Sequence, residues 1–176
     1  MAKTAKHFDD KRALAYDVLI RRIVPGYESL HGLARLLLVQ ALPDQAHVLV
    51  AGAGTGMELA SLAKACPNWR FTAVDPSQAM LAVARHRAEE AGLADRIIFH
   101  AGFVHDLPEE SVFDAATLLL VMHFVADDGG KAQLLASIAR RLRPQAPLLL
   151  ADLNADAGNE RYQSFIRAWR AWQIDA

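Results

Sequence analysis

Residues His47–Gly56 read H-V-L-V-A-G-A-G-T-G, a short apolar run that ends in a glycine-rich turn. A segment with helical periodicity, Met57–Ala65, follows directly. Glycine suits such a junction because a backbone without Cβ atoms can turn sharply and approach a ligand, while free N–H groups at the helix start donate hydrogen bonds. The stretch therefore predicts a strand, a loop and a helix, with a ligand site at Gly52, Gly54 and Gly56.

The rest of the chain repeats this alternation of short apolar runs and longer helical segments. The runs are rich in Val, Leu, Ile and Phe, as in strands buried on both faces: His47–Ala51, Phe71–Val74, Ile97–Phe99, Ala115–Val121 and Pro147–Ala151. Ser77 is a predicted helix N-cap, and Asp127 or Asp128 is predicted to open a later helix. Strands that alternate with helices predict parallel βαβ units and a doubly wound α/β fold.

The composition indicates one domain of an ordinary soluble kind. The chain has 176 residues, of which 53% are apolar, and a formal charge of −1. This charge disfavours a surface built to neutralise many phosphates. Cys66 is the single cysteine, no apolar run approaches a membrane span of ~20 residues, and the first residues do not resemble a secretory signal. We therefore expect a cytoplasmic protein without membrane association or disulfides.

One domain is predicted over residues 1–176, in three parts. Residues 1–43 form N-terminal helices, residues 46–153 form the α/β core, and residues 158–174 form a C-terminal helix that carries Trp169 and Trp172. The tryptophan stripe is expected to pack on the sheet or to serve a partner.

Asp75 strengthens the prediction of a ligand site, because a carboxylate at the end of the second strand can accept hydrogen bonds from two ribose hydroxyls. The spacing of the glycines then bears on the cofactor. A dinucleotide site requires its third glycine where Met57 stands, whereas Gly56 comes one residue earlier. An NAD-dependent reductase is therefore the least favoured reading.

The pattern G-x-G-x-G instead resembles motif I of the class I methyltransferases that depend on S-adenosyl-L-methionine (SAM). Three later segments are similar to that family's ribose-binding motif, its motif IV and the turn before its fifth strand: Phe71–Ser77, Phe113-Asp114 and Leu142–Pro144. The resemblance spans residues 46–153. It implies a Rossmann-like sheet in the order 3-2-1-4-5, SAM as cofactor, and methyl transfer to an unidentified acceptor. Because SAM carries the activated methyl group, no catalytic residue is assigned.

A narrower resemblance lies near the N-terminus, where Phe8–Asp10 and Arg21–Tyr27 are similar to the first helices of the carboxy-SAM synthase group, which serves tRNA wobble-uridine modification. It makes Tyr27 a candidate cofactor contact and admits a small-molecule or tRNA-pathway substrate. The predicted cofactor-binding residues are Tyr27, Gly52, Ala53, Gly54, Gly56, Asp75, Pro76, Gly102, Phe103 and Leu119.

The chain departs from the family pattern at three positions. Val50 replaces an acidic residue before motif I, Phe103 replaces an aspartate near adenine, and Leu119 replaces an asparagine of the synthase group. Asp106 could supply the carboxylate missing at Phe103. The departures keep open a third reading, a catalytically degenerate module that serves protein association.

Two further roles are considered for the histidines, metal binding and general base catalysis. His100, His105 and Asp106 lie close in sequence but match no standard zinc spacing, so no metal site is predicted. His123 follows the fourth strand and is either a general base or, more simply, a structural histidine.

The fifth strand is apolar and, in the expected sheet, forms an edge with unpaired backbone groups. We therefore expect a homodimer or other homo-oligomer, the tryptophan-bearing helix, or a C-terminal segment missing from the chain to cover this edge.

Overall fold

The computed structural model describes residues 10–153 and 160–175 of the chain. Within them the chain forms five strands and six α-helices, connected in part by short 3-10 turns. In chain order these are α1 (Asp10–Ile23), α2 (Tyr27–Ala41), β1 (His47–Ala51), α3 (Met57–Ala65), β2 (Arg70–Asp75), α4 (Gln78–Glu90), β3 (Ile97–Ala101), β4 (Ala115–Leu119), α5 (Gly130–Ala139), β5 (Leu148–Ala151) and α6 (Glu160–Asp175).

The strands form one sheet in the order β3-β2-β1-β4-β5, with every neighbouring pair parallel. The predicted doubly wound α/β fold and its strand order are confirmed. The order reverses at β1, because β1 pairs with β2 on one side and with β4 on the other: Val50 lies opposite Ala73 in β2 and Thr117 in β4. Ligands of open α/β sheets bind at such a reversal, beyond the carboxyl ends of the strands.

Alternation along each strand divides the apolar residues between two cores. Val48 and Val50 of β1 belong to one core with Phe71, on the side where α2, α3 and α4 pack. Leu49 belongs to the other with Phe113. All these side chains are less than 2% exposed, as expected for a parallel sheet covered on both faces.

Local boundaries differ from the predictions where the backbone turns. The predicted strand to Val121 ends at Leu119, because Leu120 adopts the left-handed conformation with φ +57°. Ser77 caps α4 as predicted, and its hydroxyl accepts the N–H of Met80 at 3.3 Å. Neither Asp127 nor Asp128 is the N-cap of α5; Gly129 takes that position with φ +98°, which a side chain at this position would disfavour.

The N-terminal helix is held to the rest of the fold by polar contacts at its middle and at its C-terminal end. Asp17 of α1 accepts hydrogen bonds from the Thr55 hydroxyl and the Arg87 guanidinium. At the C-terminal end of α1, the indole N–H groups of α6 donate to main-chain carbonyls: Trp169 to Ile23 at 2.5 Å and Trp172 to Arg22 at 3.1 Å. These tryptophans thus cap α1.

The C-terminal helix was predicted over residues 158–174, of which 158 and 159 lie outside the described residues. Strand β5 is at the edge of the sheet, and its Leu150 side chain is 46% exposed. No α-helix among the described residues combines the length and the apolar character that crossing a membrane requires.

Candidate functional site

Two adjoining clefts lie beyond the carboxyl ends of the central strands. The larger encloses about 870 Å³, including space open to solvent, and the smaller about 370 Å³. They share a wall formed by one tyrosine of α1, two loop glycines and two leucines at the end of β4: Tyr16, Gly52, Gly54, Leu119 and Leu120. The glycine loop that was predicted from the sequence therefore separates and borders both clefts.

The three glycines of the loop have different structural roles. All have positive φ, at +75°, +53° and +78° for Gly52, Gly54 and Gly56. A Cβ atom at Gly52 would lie 2.2 Å from Val121 Cγ2, and one at Gly56 would lie 2.9 Å from the Ala84 Cβ. Gly52 thus permits the loop to contact the end of β4, whereas Gly56 permits α3 to pack on α4. Gly56, a predicted cofactor contact, is not among the residues that line either cleft.

Asp75 holds the loop in place from the end of β2. Its Oδ2 accepts the N–H of Gly54 at 2.9 Å, and its Oδ1 accepts the N–H of Ser77 at 2.8 Å. Burial raises the pKa of this carboxyl, and the two backbone N–H groups oppose that rise. Each carboxylate oxygen can accept a second hydrogen bond, and Asp75 lines the larger cleft. The group can therefore accept from a pair of hydroxyls while it supports the loop.

Most of the other predicted residues also border the clefts. Pro76, Gly102, Phe103 and Leu119 line the larger cleft, and Ala53 lines the smaller one. The Phe103 ring stacks on His105 with 5.4 Å between centroids. Phe103 thus forms an aromatic wall at the position where the resemblance implied an aspartate near adenine.

Asp106 does not line either cleft. Its Oδ2 accepts the N–H of Phe103 at 2.7 Å, so the carboxylate closes its own turn. A Cβ atom at Gly102 would lie 2.9 Å from both the Asp106 carboxylate and the His100 ring, which explains why glycine stands there. The suggestion that Asp106 faces adenine in place of Phe103 gains no support from this geometry.

Tyr27 lines the smaller cleft, as the resemblance implied for a cofactor contact. It is 7% exposed, and its ring meets the His31 ring edge-on at 4.5 Å. Burial raises the pKa of its phenol, with smaller contributions from Tyr16 and from acidic neighbours. The phenol is therefore a neutral hydrogen-bonding group at any physiological pH.

The sequence analysis missed several of the lining residues, among them Tyr16 and Glu58. Tyr16 borders both clefts, and burial followed by the charges of Asp17 and Asp75 raises the pKa of Tyr16 to about 12. Glu58 borders the smaller cleft. Its signal in the sequence was its place one turn before Leu62, on the apolar stripe of α3, where a carboxylate is costly to bury.

The charges of the clefts are acidic. Asp75 and Glu58 are the acidic residues among the described residues that line them, and no lysine or arginine is among those residues. His31 lines the smaller cleft, but burial lowers its pKa and favours the neutral ring. Such clefts suit a ligand with positive charge and disfavour a pyrophosphate.

His123 is engaged with Asp152 beside the larger cleft. Its Nδ1 lies 2.7 Å from Asp152 Oδ1, and the Asp152 carboxylate also accepts the backbone N–H of Met122. Phe124 lines the cleft, but His123 is not among the lining residues. The pair therefore fixes the turn after β4, which agrees with the structural reading of His123. Within the described part of the chain, no three His, Cys, Asp or Glu side chains group in a way that could hold a metal ion.

Comparisons with known proteins agree with this geometry. A family model described as a methyltransferase domain matches residues 48–145. A carboxy-S-adenosyl-L-methionine synthase of Campylobacter curvus is 32% identical over 133 residues, which cover 74% of this chain and 54% of that protein. The chain spans about half or less of the length of such curated relatives: 23%, 54% and 43% for three of them.

Solved structures show the same fold. A SAM-dependent methyltransferase from Geobacter sulfurreducens, in complex with S-adenosyl-L-homocysteine, is 30% identical with a TM-score of 0.58, and the match covers 79% of this chain and 54% of that one. A SAM-bound amino pentose methyltransferase from Micromonospora echinaspora is 26% identical with a TM-score of 0.66, and the match covers 80% and 56%.

Proposed function

The chain belongs to the methyltransferase domain family, whose model matches more than half of it, and on that premise we propose that it binds SAM and transfers the methyl group to an acceptor. The observation that carries the proposal is the glycine loop hydrogen-bonded to Asp75 at the reversal of the sheet. The relatives bound to SAM and to S-adenosyl-L-homocysteine support the same cofactor.

The residues present fit this cofactor in three respects. Asp75 offers free lone pairs to ribose hydroxyls, and the wall of Met80, Phe103 and Val121 offers an apolar surface to a purine. The acidic clefts match a sulfonium ligand. A nicotinamide cofactor is therefore disfavoured by charge as well as by spacing.

In the proposed reaction SAM supplies a methyl group on a positively charged sulfur. The protein's part is to hold the two reactants in line and to exclude water. Asp75 and the loop N–H groups fix the cofactor end, and Leu119 and Leu120 form an apolar wall shared by both clefts. Orientation and desolvation of this kind account for large accelerations without a catalytic side chain. We assign no catalytic base, because His123 is not among the residues that line the larger cleft.

Isothermal titration calorimetry with SAM and S-adenosyl-L-homocysteine tests the proposal. We expect binding to the wild-type chain, and a loss of about 10-fold or more in affinity in Asp75→Asn, since a hydrogen bond to a charged group contributes about 1.5–3 kcal/mol. Asp95→Asn is the matched control, because Asp95 is exposed and lies in a separate turn. Absence of binding at millimolar ligand by a folded wild-type chain would refute the proposal and favour the degenerate module.

Carboxy-SAM synthesis is the second candidate, supported by the relative of Campylobacter curvus and by the position of Tyr27 in the smaller cleft. Mass spectrometry of the ligand retained through purification separates the two candidates. Recovery of carboxy-SAM favours the synthase, whereas recovery of SAM or S-adenosyl-L-homocysteine alone counts against it. A small molecule or a tRNA-pathway substrate is the acceptor class that we propose to screen first, in a cytoplasmic setting.

A covered β5 edge stays a prediction. The tryptophans of α6 contact the end of α1, so we expect a second copy or a further segment of chain to cover β5. Analytical ultracentrifugation tests the first option, and a monomer would exclude it at the concentration used.

A further inference from the structure

Glu58 is a buried carboxyl in the first turn of α3, directly after the glycine loop. The residue is 7% exposed, and its Oε1 has no hydrogen-bond partner among the described residues. The hydroxyl of Thr117 in β4 is buried beside this carboxyl and favours its charged form. An unpaired buried carboxyl is costly, so native proteins seldom keep one without a reason.

The smaller cleft supplies that reason, because Glu58 lines it together with other polar groups that lack partners. Both ring nitrogens of His31 are buried and unpaired, and His31 lines the same cleft. The smaller cleft has less than half the volume of the larger one, about 370 against about 870 Å³ with space open to solvent included in both, so it suits the smaller part of a ligand that spans them. Since Tyr16 and Gly54 border both clefts, one ligand can occupy the two together.

We propose that Glu58 binds the ammonium group of the amino-acid end of SAM, and that binding ionises Glu58 and releases its proton to solvent. The inference rests on the proposed function, since it assigns the smaller cleft to one end of that cofactor. The neutral His31 ring offers an N–H donor for the carboxylate of the same amino-acid end. Proton and charge balance, because the neutral carboxylic acid becomes the carboxylate that pairs with the ammonium.

The charges around Glu58 permit this exchange. Helix α1 contributes Tyr16, Asp17 and Arg21 to the surroundings of Tyr27, which lines the same cleft as Glu58, and α2 contributes Tyr27 and His31. Arg21 pairs with Glu28 at 3.1 Å, and Asp17 pairs with the Arg87 guanidinium, so neither is a free partner for Glu58. Strand β4 contributes the uncharged Thr117. Burial raises the pKa of Glu58 to about 7, with a smaller opposing effect of the Thr117 hydroxyl.

The test compares two thioether ligands that differ only in the substituent on the sulfur. S-adenosyl-L-homocysteine carries that end, whereas 5′-methylthioadenosine lacks it. For the wild-type chain we expect the affinity for S-adenosyl-L-homocysteine to fall about 10-fold from pH 7.5 to pH 6, as linkage requires for a group of pKa near 7. Titration at pH 6 in two buffers of different ionisation enthalpy should register release of about one proton. The affinity for 5′-methylthioadenosine should not change.

Glu58→Gln keeps the shape of the side chain and removes the exchangeable proton. We expect this variant to bind S-adenosyl-L-homocysteine at least about 10-fold more weakly at pH 7.5, without pH dependence, because the charge-assisted hydrogen bond to the ammonium group is lost. Its affinity for 5′-methylthioadenosine should equal that of the wild type. Glu90→Gln is the matched control, because the Glu90 side chain is 70% exposed on α4.

The outcomes separate this inference from the proposed function. If both ligands bind but proton release is absent, or if Glu58→Gln retains the pH dependence, the role of Glu58 is refuted while SAM binding stands. If neither ligand binds to the folded wild-type chain, the proposed function fails first. Should Glu58→Gln not fold, the two-ligand comparison on the wild type still decides.

Discussion

Replacement of Gly52 by alanine tests how closely the glycine loop contacts the end of β4. Gly52 has φ +75°, and a Cβ atom there would lie 2.2 Å from Val121 Cγ2. The left-handed conformation costs a non-glycine residue about 1–2 kcal/mol, and overpacking of a tight site costs about 1–3 kcal/mol more. We therefore expect Gly52→Ala to lower the free energy of unfolding by about 2–5 kcal/mol.

Gly26→Ala isolates the conformational part of that cost. Gly26 has the same φ of +75°, and a Cβ atom there would meet no atom within 4 Å. We expect this variant to lose only about 1–2 kcal/mol. Urea denaturation followed by circular dichroism measures both variants, and an unchanged m-value would confirm that the difference lies in stability. Equal destabilisation of the two variants would refute the steric argument, because the overlap with Val121 would then cost nothing.

Three other predictions address the clefts and the helix beside them. Gly54→Ala should destabilise the fold no more than Gly26→Ala does, since the added Cβ would meet only Met80 Cε at 3.5 Å. It should nevertheless weaken SAM binding about 10-fold by calorimetry, because Gly54 borders both clefts. An undiminished affinity would contradict the placement of the ligand. Because burial raises the pKa of Glu58 from 4.5 to about 7, the folded chain binds an extra proton between these values, and its free energy of unfolding should fall by about 3 kcal/mol as pH rises from 4.5 to 7.5. Glu58→Gln should lose this part of the pH dependence in urea titrations, and an identical profile would place the carboxyl in water. Asp17→Asn should lower the free energy of unfolding by about 1.5–3 kcal/mol, since Asp17 accepts hydrogen bonds from Thr55 and Arg87. The exposed control Asp95→Asn should lower it by less than about 0.5 kcal/mol. Equal losses in the two variants would show that Asp17 does not hold α1 to the loop.

The sheet was predictable because its information is local and periodic. Buried runs such as His47–Ala51 and the glycines that follow specify a strand, a turn and a helix within a few residues. The order of the strands then followed from the resemblance. The end of β4 was not predictable in this way, because Leu120 belongs to the same apolar run and only its φ of +57° ends the strand.

Site residues that belong to a short sequence motif were predictable, whereas those that reach the site only through the packing of several elements were not. Asp75 and Gly54 are encoded by motifs, and the structure joins them through a 2.9 Å hydrogen bond. Glu58 and Tyr16 acquire their role from α1 and α2, which fold over the loop from a distant part of the chain. A charged residue on an apolar helical stripe was the available signal for Glu58.

Leu120 has a consequence for protein engineering. The left-handed conformation costs a leucine roughly 1–2 kcal/mol. In this conformation the Leu120 N–H donates to the Ala151 carbonyl at 2.8 Å, and the residue lines both clefts. A search for heat-resistant variants would therefore favour glycine or asparagine at this position. The same replacement would remove the apolar wall between the clefts, so thermostability and ligand fit oppose each other at this residue.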